Sequence, residues 1–373
     1  MLFKILNSDI SNISTMLENN NISLNFPFGW IAEVKKINHD KQLDLFTDIF
    51  LQNHNSIYSL ITDQITYIRS SLFYECSYLN TVILPNCSNI EAMAFCRCVK
   101  LSYAFLPSCS YIGNHCFVGC TSLQCINIPN CQTVGSHAFK GCCDLSYVNL
   151  GSCSHVGSFA FSGCNSLKEI SLSCLTTEYG VFQDCYGLSY ANLPLCTSIA
   201  LSYFINCSKL SFISAPECQR IMNEAFKNCG LSNVSFPSCV YVAPYAFQGC
   251  SNLTSINLPV CSSIDYGVFS DCKKLWSVYI PGCKTIGDMA FYSCLSLSRV
   301  YLYCNTLSNS VFAYCEKLES IYLRASSVIS ITSQTFDNSP VLAGSCRFFV
   351  SKSMYSEYKA HPIWSSYYII STT

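Results

Sequence analysis

Charge is what this chain has least of. Asp, Glu, Lys and Arg make up 12% of its 373 residues and almost cancel, leaving a net charge of -1. There is no run of Lys or Arg. Nucleic-acid binding rests on a basic stripe that neutralises phosphates, so no nucleic-acid partner is expected. The sparse acids show no paired arrangement for acid–base work. A Gly-rich phosphate loop and a G-x-S-x-G elbow are also missing. The chain therefore reads as non-enzymatic, with no catalytic residue and no cofactor. No stretch reaches the roughly 18 consecutive apolar residues of a membrane-spanning helix, so no transmembrane segment is expected. At the start, MLFKILNSDI, the residues Asn7, Ser8 and Asp9 interrupt the apolar stretch before a signal-peptide core forms. Export by the standard route is not supported. Synthesis in a reducing cytoplasm, with display on a cell or virion surface by another route, fits better.

What is present in quantity is apolar side chain, at 50% of the residues, and cysteine, at 28. Both are arranged in columns. A phenylalanine recurs at Phe73, Phe95, Phe117, Phe139, Phe161, Phe182, Phe204, Phe226, Phe247, Phe269, Phe291 and Phe312, always 21 or 22 residues apart, with a frayed copy at Phe336. A fixed period of this length means a solenoid whose coils bury their apolar faces against one another. Twelve cysteines sit three residues after the repeat Phe, from Cys76 to Cys315. Eleven more form a second column from Cys87 to Cys304. Such columns call for a small, weakly polar, easily buried side chain. Equivalent side chains on stacked strands sit about 4.8 Å apart, whereas a disulfide prefers Cβ atoms about 3.8 Å apart. Reduced ladders are expected.

One unit runs from Ile112 through Phe117, Cys120, Leu123, Ile126 and Ile128 to Cys131, and the consensus is I-G-x-x-A-F-x-x-C-x-x-L-x-x-V-x-L-P-x-C-x-x. The L-x-x-V-x-L segment alternates at period two, so it predicts a short strand with Val and Leu inward. Pro cannot donate to the ladder and ends the strand. The stretch GxxAFxxC lacks alternation and predicts a short helical or 3₁₀ turn on the opposite face. Each coil then adds one strand to a continuous parallel sheet. Residues 1–60 do not repeat and read as an N-terminal cap or attachment region, with helices expected over 9–19 and 41–51. Repeats occupy 61–345, about twelve or thirteen of them. Residues 346–373 read as a C-terminal cap, with a strand at 348–350 and a helix-like run closing on Trp364.

The recurring IGxxAFxxCxxLxxVxLPxC resembles the BspA-type leucine-rich repeats over about three quarters of the chain. The tail FFVSKSMYSEYKAHPIWSSYY is similar to the terminal motif of such proteins. The resemblance implies an α/β repeat solenoid: a right-handed array with its parallel sheet on the concave face and short turns or 3₁₀/helical segments on the convex face. It also implies surface display and adhesion.

Binding is expected where strand side chains point outward. The columns on either side of the inward Val are rich in Tyr, Asn and Ser, a mixture like that of a paratope. Two aromatic groups are the candidate partner-binding residues. Tyr103, Phe105, Tyr147 and Tyr190 lie towards the N-terminal end; Trp276, Tyr279, Arg299, Tyr301 and Tyr322 lie towards the C-terminal end. Trp, Tyr and Arg are the residue types that most often anchor interfaces. The bland alternative is that aromatics simply suit strands. The expected partner is a protein or glycan on a host or bacterial surface. A structural spacer or appendage component, and an intracellular scaffold, are the alternatives. His115 and His137 share one slot in successive coils beside Cys116, but no C-x-x-C pair is matched with a second ligand pair, so no metal site is expected.

Overall fold

A computed structural model describes residues 57–373 except 62, 64, 152, 174–177, 343 and 373. The expected N-terminal helices over 9–19 and 41–51, and nearly all of the N-terminal region, lie outside the described residues. The rest is a parallel β-solenoid of about 14 coils.

The V-x-L alternation forms strands of three residues, such as Thr81–Ile83, Tyr103–Phe105 and Cys125–Asn127, paired in parallel with equivalent residues in register. The middle residue, Val82, Ala104 or Ile126, points inward and is fully buried. Pro85, Pro107 and Pro129 stand just past the strand ends. Where Tyr303 and Arg324 replace this proline, Arg299–Leu302 and Ser320–Leu323 run to four residues. The sheet is not continuous as expected. Among the described residues its hydrogen bonding falls into four stretches. One break lies between Phe212–Ser214 and Asn233–Ser235. There the spacing from Cys229 to Leu231 is one residue shorter than in the other coils.

The opposite face takes the turn form of the two expected for it, with no helix among its described residues, and it also carries strand. Its first two residues, as in Tyr111–Ile112 and Thr133–Val134, form a second parallel ladder. The residues after them make turns, not helix, because backbone N–H groups alternate between two kinds of partner. His115, Phe117 and Gly119 donate across to Ser136, Ala138 and Lys140 of the next coil, at 2.7–2.9 Å. Cys116, Val118 and Cys120 donate back three residues within their own coil. Left-handed backbone at His115 (φ 59°) and Gly119 (φ 71°) imposes this alternation and excludes a run of right-handed helix. Gly113 meets a different demand, since a Cβ there would stand 2.5 Å from the backbone nitrogen of Ala92 in the coil before.

Two ladders fill the space between the sheets. The thirteen phenylalanines from Phe73 to Phe336 form one unbroken stack, with centroids 5.0–5.9 Å apart and planes 7–14° from parallel. The cysteines run beside them as free thiols, all described ones buried except half-exposed Cys143. From Cys98 to Cys315, each first-column thiol donates to the carbonyl of the repeat Phe one coil earlier, with S···O of 3.1–3.3 Å. Second-column thiols donate two residues ahead, Cys109 to Tyr111 at 3.2 Å and Cys131 to Thr133 at 3.3 Å. Cysteine is thus used as a small donor that the core can bury.

The last coils close the array. Arg347–Ser351 extends the sheet, the short helix Tyr355–Ala360 follows, and Tyr368–Thr372 is the final strand. Trp364 is fully buried and donates its indole N–H to the Ile329 carbonyl at 2.7 Å. The Ile329 N–H in turn donates to the Tyr358 hydroxyl at 3.0 Å. The two cap aromatics therefore satisfy both backbone groups of one buried residue, which would otherwise be left unpaired.

Two outcomes follow. Phe161→Ala opens a cavity in the middle of the stack and should cost about 3–5 kcal/mol in chemical denaturation. The second concerns pH. Burial pushes Cys87 and Cys261 up to about 11 and Cys250 and Cys315 up to about 12. An unfolded thiol ionises near 8.5. The stabilisation from each neutral buried thiol is then complete below about pH 8.5 and lost as pH rises towards 11–12, at about 1.4 kcal/mol per thiol per pH unit. Circular dichroism should show cooperative unfolding between about pH 9 and 11; a chain still folded above that window would contradict the ladder.

Candidate functional site

The outward side of the longer-strand sheet is not uniform. Towards its N-terminal end, the positions that point away from the core are themselves covered. Ile83, Tyr103 and Cys125 are buried together and Phe105 is half-buried against them. Tyr103 is only 2% exposed, and burial holds its hydroxyl well above the usual tyrosine range. Tyr147 and Tyr190 are exposed, but their strands are separated by the one carrying Glu169 and fall in different hydrogen-bonded stretches. The four aromatics read as one N-terminal group therefore do not share a surface. Tyr190 stacks instead on exposed Phe212 at 5.3 Å.

Apart from the Tyr190–Phe212 pair, the middle of this face carries small polar groups that bond to one another. Asn149 donates to Asn127 at 2.8 Å, Asn192 to Ser171 at 3.2 Å and Asn257 to Ser235 at 3.1 Å. Beside the strands, Ser102, Ser146 and Ser211 donate to backbone carbonyls of the preceding coil. Few of these groups are left seeking a partner.

The C-terminal end differs. Register aligns Tyr279, Tyr301, Tyr322 and Phe349 in one outward row. Tyr301 and Tyr322 stack at 4.5 Å, Tyr322 and Phe349 at 4.7 Å, and Tyr279 meets Tyr301 edge-on at 5.9 Å. On one side of the row the same register gives Ser277, Arg299, Ser320, Arg347 and Tyr368. On the other side, Arg324 lies with its guanidinium 5.8 Å from the Tyr322 ring. Trp276, just ahead of its strand, is 51% exposed and Tyr279 is 53% exposed. Of the five C-terminal residues expected from the sequence, register brings Tyr279, Arg299, Tyr301 and Tyr322 together here, and Trp276 stands exposed just ahead of the same strand as Tyr279. Sequence reading missed Arg324, Arg347, Phe349 and Tyr368. The usable signal was the strand expected at 348–350: aligning Phe348 with Ile321 sets Arg347 and Phe349 beside Ser320 and Tyr322.

His115 and His137 stack at 4.8 Å, and His137 continues onto Phe159. Burial, helped by the neighbouring His115 and Lys140, lowers the His137 pKa. Among the described residues no three His, Cys, Asp or Glu side chains gather as metal ligands. No described helix is long and apolar enough to cross a membrane.

Comparison with known proteins matches the family described as BspA type leucine rich repeat region (6 copies) over five overlapping ranges, residues 7–110, 48–167, 88–211, 135–244 and 219–343. No curated protein matches. Among solved structures, a leucine-rich repeat protein from Bacteroides ovatus is similar at TM-score 0.62 and 22% identity, covering 85% of this chain and 92% of its own. A leucine rich cell surface protein from Faecalibacterium prausnitzii matches at TM-score 0.36 and 21% identity, covering 66% of this chain and 86% of its own. The pneumococcal vaccine antigen PcpA matches at TM-score 0.45 and 16% identity, covering 85% and 79%.

Surface and core should separate by stability. Trp276→Ala, Tyr279→Ala and Tyr301→Ala combined remove exposed or half-exposed rings and should cost less than about 2 kcal/mol. Phe348→Ala, beneath the same patch, should cost about 3–5 kcal/mol. Denaturant unfolding of the two variants checks this.

Proposed function

Because this chain belongs to the BspA-type leucine-rich repeat family, we propose that it is a non-enzymatic recognition protein that binds another protein through the C-terminal end of its longer-strand sheet. Family and fold support a protein-interaction or surface repeat protein. The finer reading, adhesion through this patch, rests on one observation. Tyr279, Tyr301, Tyr322 and Phe349 form one outward row framed by arginines, with exposed Trp276 just ahead of the first strand. Exposed clusters of Trp, Tyr and Arg are the usual centres of binding energy at protein interfaces.

A protein is favoured over a glycan by how the rings are used. Sugar rings dock their C–H groups on free aromatic faces. Tyr301, Tyr322 and Phe349 spend their faces on one another, at 4.5 and 4.7 Å. They offer edges and hydroxyls instead, which suit the mixed apolar and polar contacts of a protein surface.

A second reading has its own support. The satisfied Asn and Ser pairs along the middle of the sheet suit a rod that separates two ends. Binding at one end and spacing along the middle are compatible, and display outside a cell and scaffolding within one would both use them.

The test is capture from bacterial and host surface extracts by the full chain and by the Trp276→Ala, Tyr279→Ala, Tyr301→Ala variant. The expected result is a protein retained by the unaltered chain, lost with the variant and indifferent to prior deglycosylation. Retention by both, or loss after glycosidase treatment, removes the reading.

A further inference from the structure

We infer that the partner seated on the C-terminal patch is an acidic, extended segment of protein, with carboxylates three residues apart that span Arg299 and Arg347. This rests on the reading of the patch as a protein-binding surface and adds the chemistry of what it takes.

The arginines around the aromatic row have no carboxylate of the described residues paired with them. Among the described residues the ion pairs are Arg97 with Glu75 and Lys227 with Glu224. Arg299, Arg324 and Arg347 are exposed, and no carboxylate of the described chain pairs with them. In a chain with so few charges, three unpaired guanidinium groups on three successive coils form a local excess of positive charge. Glu319 is the nearest acid in sequence, one residue before Ser320. Its backbone carbonyl accepts from the Arg347 N–H at 2.9 Å, and its carboxylate forms no ion pair with these arginines. A guanidinium presents a planar fork that matches a carboxylate at two points.

Register then sets the spacing. Arg299, Ser320 and Arg347 are consecutive in the ladder. Two strand steps put the arginine backbones about 10 Å apart. A chain in the polyproline II conformation returns to the same face every three residues, a rise of about 9.3 Å. Two carboxylates so placed would meet both forks, with the small Ser320 between them leaving room. The side facing the aromatic row would rest on the edges of Tyr301, Tyr322 and Phe349. Arg324, held over Tyr322 on the far side of the row, would take a third carboxylate. A sulfated polysaccharide would satisfy the arginines but gains nothing from rings whose faces are already taken.

The test uses the full chain and a fluorescent peptide of Glu-Pro-Pro repeats. Gln-Pro-Pro repeats and heparin serve as competitors. Anisotropy should show binding of the Glu peptide that weakens as salt rises from about 0.05 to 0.5 M. Arg299→Gln with Arg347→Gln should weaken it by about tenfold or more. Arg299→Lys with Arg347→Lys should fall between, because charge is kept and the fork lost. Arg220→Gln, on an exposed arginine of the other ladder, should change nothing. Thermal unfolding of each variant confirms that these exposed replacements leave the fold intact. The inference is overturned if Gln-Pro-Pro binds equally well, if heparin binds more tightly than the Glu peptide, or if the arginine pair and Arg220→Gln behave alike. A captured partner lost with the Trp276, Tyr279 and Tyr301 variant but kept by the arginine variants overturns the acidic segment alone. Capture by all variants overturns the patch as well.

Discussion

Everything in this molecule depends on each coil coming to rest on the last in the same position. The phenylalanine stack enforces that condition. Thirteen rings at 5.0–5.9 Å, none tilted more than 14° from its neighbour, leave little freedom for a coil to slide. That spacing is close to the 4.8 Å of a parallel ladder, so rings and backbone hold the same register. A surface built on the ladder inherits it. Tyr279, Tyr301, Tyr322 and Phe349 form one row because Phe269, Phe291, Phe312 and Phe336 are stacked within the core.

The thiols solve the problem that such tight stacking creates. Turns on the second face leave the Phe carbonyls inside the core, and a buried acceptor needs every donor it can find. A hydroxyl would donate but is costlier to bury; an alanine would bury but cannot donate. Cysteine does both weakly. With 27 described free thiols, the core depends on their staying reduced and protonated.

How much of this could be read from sequence varied with how local the determinant was. The Phe and Cys columns and the inward Val were legible because each recurs at one slot in every coil and answers to contacts with its own equivalents. The second face was legible only in part. Lack of alternation suggested turns, helical or 3₁₀, and turns are present, but His115, His137 and Met93 adopt left-handed backbone without being glycine, and side-chain identity does not announce that. Alternation also predicted that Tyr103 points away from the core, as Tyr279 does. It gave no sign that Tyr103 is covered while Tyr279 is open. Arg347 and Phe349 were overlooked for another reason: their coil is longer than 22 residues, so counting by the period loses them, although the ladder restores them.

The closed sequence of contacts has a consequence for growth. Within the stack each ring meets the ring before and the ring after, first-column thiols reach back one coil, and second-column thiols bond two residues ahead within their own. A unit duplicated within the middle of the chain would therefore meet the same surroundings it left. Length becomes a property that selection can adjust without redesigning either end: the distance from the first coil to the arginine-flanked aromatic row can change in increments of one strand spacing, like the marks on a ruler.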